Sequence, residues 1–269
     1  MHPIKLILLM TLLSAANLSH SQKQQGKILF CYGDFYPQDI KGYDYVIVEP
    51  TFFNTEDVQT LKSQNKHVLA YISLGEVNEA ASHYDEVKNE TIGVNKQWNS
   101  HTLDISAPAT INALKNQIED HLAVKKFDGL FLDNIDNYTE FGSTPQLKDS
   151  LVGFLKGVKS RFRESVIMQN AGLFIIEDLR PLIDLIAVES VATNYNFEKD
   201  TYQLRDKKDY KERLDRIKEI QKLHKIPIIL IEYADTEKLK KKIKSRLKAS
   251  QFDLFIGQID LQKTPRFKK

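Results

Sequence analysis

The chain has 269 residues, 42% hydrophobic and 28% charged, enough to bury one large core; 11 Gly and 8 Pro exclude a collagenous or linker-dominated chain. With 38 basic and 36 acidic residues the net charge is +2, which gives no bulk attraction to nucleic acid or anionic lipid. The single cysteine, Cys31, excludes an intrachain disulfide framework and a cysteine-based zinc ribbon, and none of the seven His stands in H-E-x-x-H spacing.

The first segment reads as an address. Lys5 precedes an apolar run over 6–13, and Ser14-Ala15-Ala16 follow it. That is the pattern of a secretory signal peptide, too short to span a bilayer. A cut is expected before Gln22, with one after Ala16 as the alternative. No cysteine follows the run, so a lipoprotein anchor is not indicated. Residues 1–21 are expected to be removed, which makes the protein secreted or periplasmic with no stable membrane insertion afterwards.

Beyond the leader, short apolar runs rich in β-branched residues alternate with amphipathic segments. Strands are expected over 28–32, 43–48, 68–73, 129–132, 166–169, 185–188, 228–231 and 254–256. Most are continuously apolar, as strands covered on both faces should be. Helical spacing is expected over 55–65, with Thr55 as a cap-like start, and over 109–125, 146–162, 209–223 and 236–247. The longest insertion, from 75 to 108, holds the only tryptophan, Trp98. The lysines from Lys238 to Lys248 are read as the solvated face of a helix. Eight strands, each followed by a crossover, read as an α/β protein: a (β/α)8 TIM barrel over 22–269, a fold that needs roughly 250 residues. A doubly wound open sheet is the alternative; the Gly-rich nucleotide-binding fingerprints are missing.

In such a barrel the loops after the strands build the site. Strand by strand those positions are Asp34; Glu49; Tyr71, Ser73 and Glu76; Asp133, Asn134 and Asp136; Gln169 and Asn170; Glu189; Glu232 and Tyr233; Gln258 and Asp260. Converging carboxylates repel and are costly to desolvate, so stability does not explain them. Asp133 and Glu189 stand out, each closing a buried hydrophobic strand. An acidic mouth suits a cationic ligand, a metal, or paired-carboxylate chemistry on a glycosidic bond.

Three blocks in this order, Tyr71-Ile72-Ser73-Leu74-Gly75-Glu76, then Phe127-Asp128-Gly129-Leu130-Phe131-Leu132-Asp133-Asn134-Ile135-Asp136-Asn137-Tyr138, then Ala187-Val188-Glu189-Ser190, resemble glycoside hydrolase family 114. These are endo-α-1,4-polygalactosaminidases and related secreted or periplasmic TIM-barrel proteins. The resemblance runs from about Lys27 to Gln258. It implies cleavage of α-1,4-linked galactosamine in a partly deacetylated polysaccharide. It also implies Asp133 and Glu189 as the catalytic pair, Asp133 as nucleophile and Glu189 as general acid and base. Asp34, Glu49, Glu76 and Asp136 would hold ammonium groups. Tyr71, Tyr233 and Trp98 would stack on sugar faces. Ser73, Asn134, Asn170, Glu232 and Gln258 complete the expected substrate-binding set. No cofactor, metal or nucleic-acid partner is implied. A catalytically silent carbohydrate-binding barrel is the alternative, and a carboxylate-metal hydrolase a third reading.

Overall fold

The computed structural model describes residues 26–269. The expected signal peptide lies outside the described residues. Eight parallel strands pair in chain order: β1 Ile28–Cys31, β2 Tyr45–Val48, β3 His67–Ser73, β4 Gly129–Asp133, β5 Val166–Asn170, β6 Leu185–Glu189, β7 Ile228–Tyr233 and β8 Asp253–Gly257. β8 returns to β1 through contacts rather than a ladder: the Phe30 and Phe255 rings lie 5.2 Å apart and Gly26 N donates to Asp253 Oδ1 at 2.9 Å. With helices between the strands, this is a nearly closed (β/α)8 barrel.

Register carries one side-chain parity around the sheet. Tyr71 pairs with Phe131 and Phe131 with Met168; Asn170 pairs with Ala187; Glu189 pairs with Ile231, and Ile231 with Phe255. Paired residues of a parallel sheet point to the same face. Phe30, Ile47, Leu69, Phe131, Met168, Ala187, Ile231 and Phe255 therefore fill the interior, all of them buried. The Phe30 ring meets Phe131 edge-on at 5.3 Å. Above this apolar plug the same parity delivers Tyr32, Glu49, Tyr71, Asp133, Asn170, Glu189 and Tyr233 to the mouth. The intervening residues, Gln169 and Glu232 among them, face the helical layer.

The outer layer comprises α1 Thr55–Gln64, α2 Pro108–Glu119, α3 Lys148–Arg161, the single turn α4 Ile176–Leu179, α5 Lys207–His224 and α6 Glu237–Leu247. The N-cap of α1 is Asn54, not the expected Thr55: its side chain accepts from Glu56 N and Asp57 N, and Asp57 returns a bond to Asn54 N. On α6, Ile243 and Leu247 are buried while Lys238, Lys241, Lys242 and Lys244 are exposed, as the periodicity predicts.

The regular strand-then-helix expectation needs correcting in two places. The β1–β2 crossover carries only a short 3-10 turn, Pro37–Asp39, and among the described residues no helix follows β8. Two excursions were also unexpected. The 75–108 insertion contains a three-stranded antiparallel sheet, with Ser100–Leu103 between Glu76–Asn78 and Thr91–Asn95. After β6, Thr193–Asn196 and Thr201–Leu204 form an antiparallel hairpin. Both pair with their own neighbours rather than with the barrel, so barrel periodicity carries no sign of them.

Candidate active site

Three adjacent strands end on the polar residues Asp133, Asn170 and Glu189. Each is followed by a residue in the left-handed region: Asn134 at φ 59°, Ala171 at φ 52° and Ser190 at φ 55°. A non-glycine residue there carries strain that the surroundings must hold in place. The three strands thus turn sharply at the level where their last side chains meet.

Asn170 joins the two acids. Its Nδ2 donates to Asp133 Oδ1 at 2.9 Å and to Glu189 Oε1 at 2.7 Å. These oxygens therefore lie no farther apart than the two bonds laid end to end, about 5.6 Å. Asp133 also accepts from Tyr71 Oη at 2.8 Å through Oδ2 and from Asn134 N at 2.8 Å through Oδ1. Glu189 Oε2 accepts a very short bond from the Tyr233 hydroxyl.

The two acids sit in different fields. Burial raises the Glu189 pKa above the ordinary glutamate value, and the negative charge of Asp133 raises it further; the bonds from Tyr233 and Asn170 pull the other way. Burial and the nearby carboxylates also push the hydroxyls of Tyr32, Tyr71 and Tyr233 well above the usual tyrosine range. The three phenols therefore stay neutral, and Tyr71 and Tyr233 donate to the two acids. Asp133 accepts three bonds, from Tyr71, Asn134 and Asn170.

The other expected site residues divide into two groups. Asp136 is exposed beside the pair and accepts from Gly172 N at 2.8 Å, and desolvation followed by the charge of Asp133 raises its pKa. Glu49 accepts from Thr51 N and Thr51 Oγ1, and its charge reaches Tyr32 and Tyr71. Asp34 is exposed on the loop after β1. Trp98, half exposed, meets Phe197 edge-on at 5.4 Å, where the two excursions touch.

The second group is held by protein partners. The Glu76 carboxylate accepts from Ser100 Oγ at 2.5 Å and from Asn95 and Asn137 side chains, fastening the insertion sheet to the loop after β4. Ser73 Oγ donates to Asn134 Oδ1 at 2.6 Å and accepts from Glu76 N, so Ser73 and Asn134 brace the turn beyond Asp133. Gln258 holds the C-terminal segment through Ala234 O and Arg266 O. Glu232 is fully buried and bonded to backbone beyond β6. These carboxylates and amides are occupied without a ligand.

Tyr32 is the site residue that sequence reasoning missed. Its ring lies 4.8 Å from that of Tyr71, and both acids act on its hydroxyl. The signal for it in the sequence is parity, since Tyr32 stands two residues beyond inward Phe30. Among the described residues, no group of three or more His, Cys, Asp or Glu stands in a metal-holding arrangement.

Comparison with known proteins agrees with this architecture. The model of glycoside-hydrolase family GH114 matches residues 14–267. No match was found among curated proteins. The glycoside hydrolase domain of PelA from Pseudomonas aeruginosa is similar in fold: TM-score 0.78 and 21% identity, covering 89% of this chain and 97% of that chain. Ega3 of Aspergillus fumigatus, solved in complex with galactosamine, has a TM-score of 0.69 and 14% identity, covering 92% and 98% respectively. The α-galactosidase TtGalA of Thermus thermophilus is more distant, with a TM-score of 0.53 and 9% identity over 86% of this chain and 57% of that chain.

Proposed function

The chain belongs to glycoside-hydrolase family GH114, and from that premise we propose that it cleaves α-1,4-linked galactosamine in a polysaccharide by double displacement between Asp133 and Glu189. The observation that carries this reading is the Asn170 bridge between the two carboxylates. A span of at most about 5.6 Å between the bridged oxygens leaves little room for a water held between acid and base. Retaining pairs stand roughly 5–5.5 Å apart and inverting pairs about 6.5–9.5 Å.

In this reading an Asp133 oxygen attacks the anomeric carbon as the glycosidic C–O bond breaks. Glu189, whose protonated form is favoured by burial and by the charge of Asp133, gives its proton to the departing oxygen. A glycosyl ester remains on Asp133. Glu189, now a carboxylate, takes a proton from water, which attacks the same carbon and frees Asp133. Tyr71 and Asn170 hold the nucleophile, and Tyr233 and Asn170 the acid. Burial of Glu189 beside Asp133 favours the protonated form that the first step needs.

The substrate class is supported by charge and by likeness of fold. Ega3, solved with galactosamine, shares the barrel, and Asp34, Glu49 and Asp136 offer carboxylates around the mouth for ammonium groups. Trp98 supplies an exposed ring at its rim. Export of a mature chain 22–269 by a leader over 1–21, to the periplasm or beyond, completes the reading. Among the described residues no helix is long and apolar enough to cross a membrane.

The test is reducing-end release from partly deacetylated α-1,4-galactosaminoglycan, with the first-formed anomer followed by NMR. The wild type is expected to release α-configured ends. Glu189→Gln and Asp133→Asn, both folded, are expected to lose about 10²- to 10⁴-fold in kcat. Full activity in both variants would overturn the assignment, and β-configured first product would replace double displacement with inversion.

A further inference from the structure

Strand β7 ends on two residues that hold neighbouring parts of the end of β6 from opposite faces, one its last side chain and the other the backbone that follows. Tyr233 points into the barrel and bonds the Glu189 carboxylate. Glu232, one residue earlier, points outward and is completely buried. Its Oε1 accepts from Val191 N at 3.0 Å and Ala192 N at 2.7 Å; its Oε2 accepts from Thr193 N at 2.9 Å and Thr193 Oγ1 at 2.5 Å. Three successive backbone N–H groups wrapped around one carboxylate form an anion nest.

The segment so held is the turn that leaves Glu189. It opens with Ser190 in the left-handed region. Ser190 N donates to Ile231 O at 2.8 Å and Ser190 O accepts from Arg205 Nε at 2.7 Å. Ala192 O accepts from Arg205 N and from Arg246 Nη1. Thr193 Oγ1 also accepts from Tyr233 N, closing the circuit back to β7. The backbone directly after the acid is therefore tied at each residue from 190 to 193.

Burying a carboxylate is costly, and an apolar side chain would fill the same space at less expense. What it would not do is neutralise three converging N–H dipoles and hold a strained turn in one geometry. Glu189 is the residue directly before that turn, and its carboxylate meets Asn170 and Tyr233. We propose that Glu232 is a positioning residue for the general acid Glu189, acting through the 190–193 turn rather than by touching substrate. This inference rests on the roles given above to Asp133 and Glu189, and it replaces the sequence expectation that Glu232 binds substrate.

A residue that aims the acid matters in proportion to how much the leaving group needs a proton. Glu232→Gln keeps the shape but sets an NH₂ against backbone donors. Its kcat/KM on the galactosamine polymer is expected to fall about 10- to 100-fold, the scale of a small misplacement of a reacting group, with KM within about twofold. On a 2,4-dinitrophenyl α-glycoside of a short galactosamine oligomer, whose leaving group departs without protonation, the loss in kcat/KM should shrink to about threefold or less. Should Glu232→Gln fail to fold, Thr193→Val removes one of the four bonds and should show the same leaving-group dependence at smaller size. Equal losses on both substrates, or no loss on the polymer, would overturn the positioning role while leaving the reaction assignment standing. A wild type inert on both substrates would instead remove the reaction assignment, and this inference with it.

Discussion

At the scale of single residues, the site is two carboxylates given different work by their neighbours. Asp133 accepts three donors at the edge of the mouth, and Glu189, half-buried, stands across Asn170 from it with its pKa raised. The raised pKa of Glu189 has a consequence for stability that needs no substrate. Its folded-state pKa stands above the unfolded value, so its contribution is complete below the ordinary glutamate range and is lost as pH rises through the folded pKa. Glu189→Gln does not titrate. The Tm of this variant relative to wild type is therefore expected to climb with pH across that window and to be flat below it, as read by calorimetry at a series of pH values. A gap independent of pH would show that Glu189 titrates alike in both states. At the same scale, acids with like positions in the sequence have unlike partners. Glu76, Glu232 and Glu189 look equivalent at strand ends in the sequence, yet Glu76 is bonded within the insertion and Glu232 to backbone beyond β6, while Glu189 is bonded to the mouth residues Asn170 and Tyr233. Only a census of partners in space separates a carboxylate that holds the fold from one that faces the mouth.

At the scale of elements, the strand that ends on Asp133 depends on a close approach to its neighbour. Gly129 opens β4 opposite Val166, and a Cβ there would stand 1.9 Å from Val166 O. Backbone cannot yield as a flexible side chain can. Gly129→Ala is expected to destabilise the protein by about 1–3 kcal/mol through overpacking, read as a lower urea midpoint. An unchanged midpoint would mean that β4 and β5 separate freely. Gly75 plays a related part, since a Cβ there would meet Asn134 O at 2.7 Å and push the β3 loop off the turn beyond Asp133. Strand positions were legible in sequence because a buried parallel strand is a dense apolar run with little register ambiguity. Helix presence was legible wherever a full amphipathic period was available, as in α3 and α6. The one-turn α4 and the two excursions were not, being too short or too irregular for periodicity to average over.

At the scale of the whole molecule, charge is segregated. The net charge is only +2, but lysines crowd the outside of α6 while carboxylates meet at the barrel mouth. A cationic polymer approaching that mouth gains from the local field, which salt screens over about 8–10 Å at 0.1–0.15 M. KM for a deacetylated galactosamine polymer is therefore expected to rise several-fold between about 0.05 and 0.5 M NaCl, with kcat little changed. A fully N-acetylated polymer, if turned over, should show no such rise. An equal response from both polymers would remove the ammonium-binding role of Asp34, Glu49 and Asp136.

The amino-acid sequence by itself determined the barrel, the strands and the two acids at the ends of β4 and β6. Those depend on continuous apolar runs and on the polar residue that closes each, which are local properties. Tertiary structure alone decided which polar groups share a space. It brought Tyr32, Tyr71 and Tyr233 around the acids, placed Asn170 between them, and turned Glu232 outward into a backbone nest. Such choices depend on how strand ends from distant parts of the chain converge, and on donors such as Val191 N and Gly172 N that every residue but proline carries. Because backbone donors look the same in any sequence, a carboxylate tied to backbone, such as Glu232, is told from one that meets other side chains at the mouth only when the chain is folded.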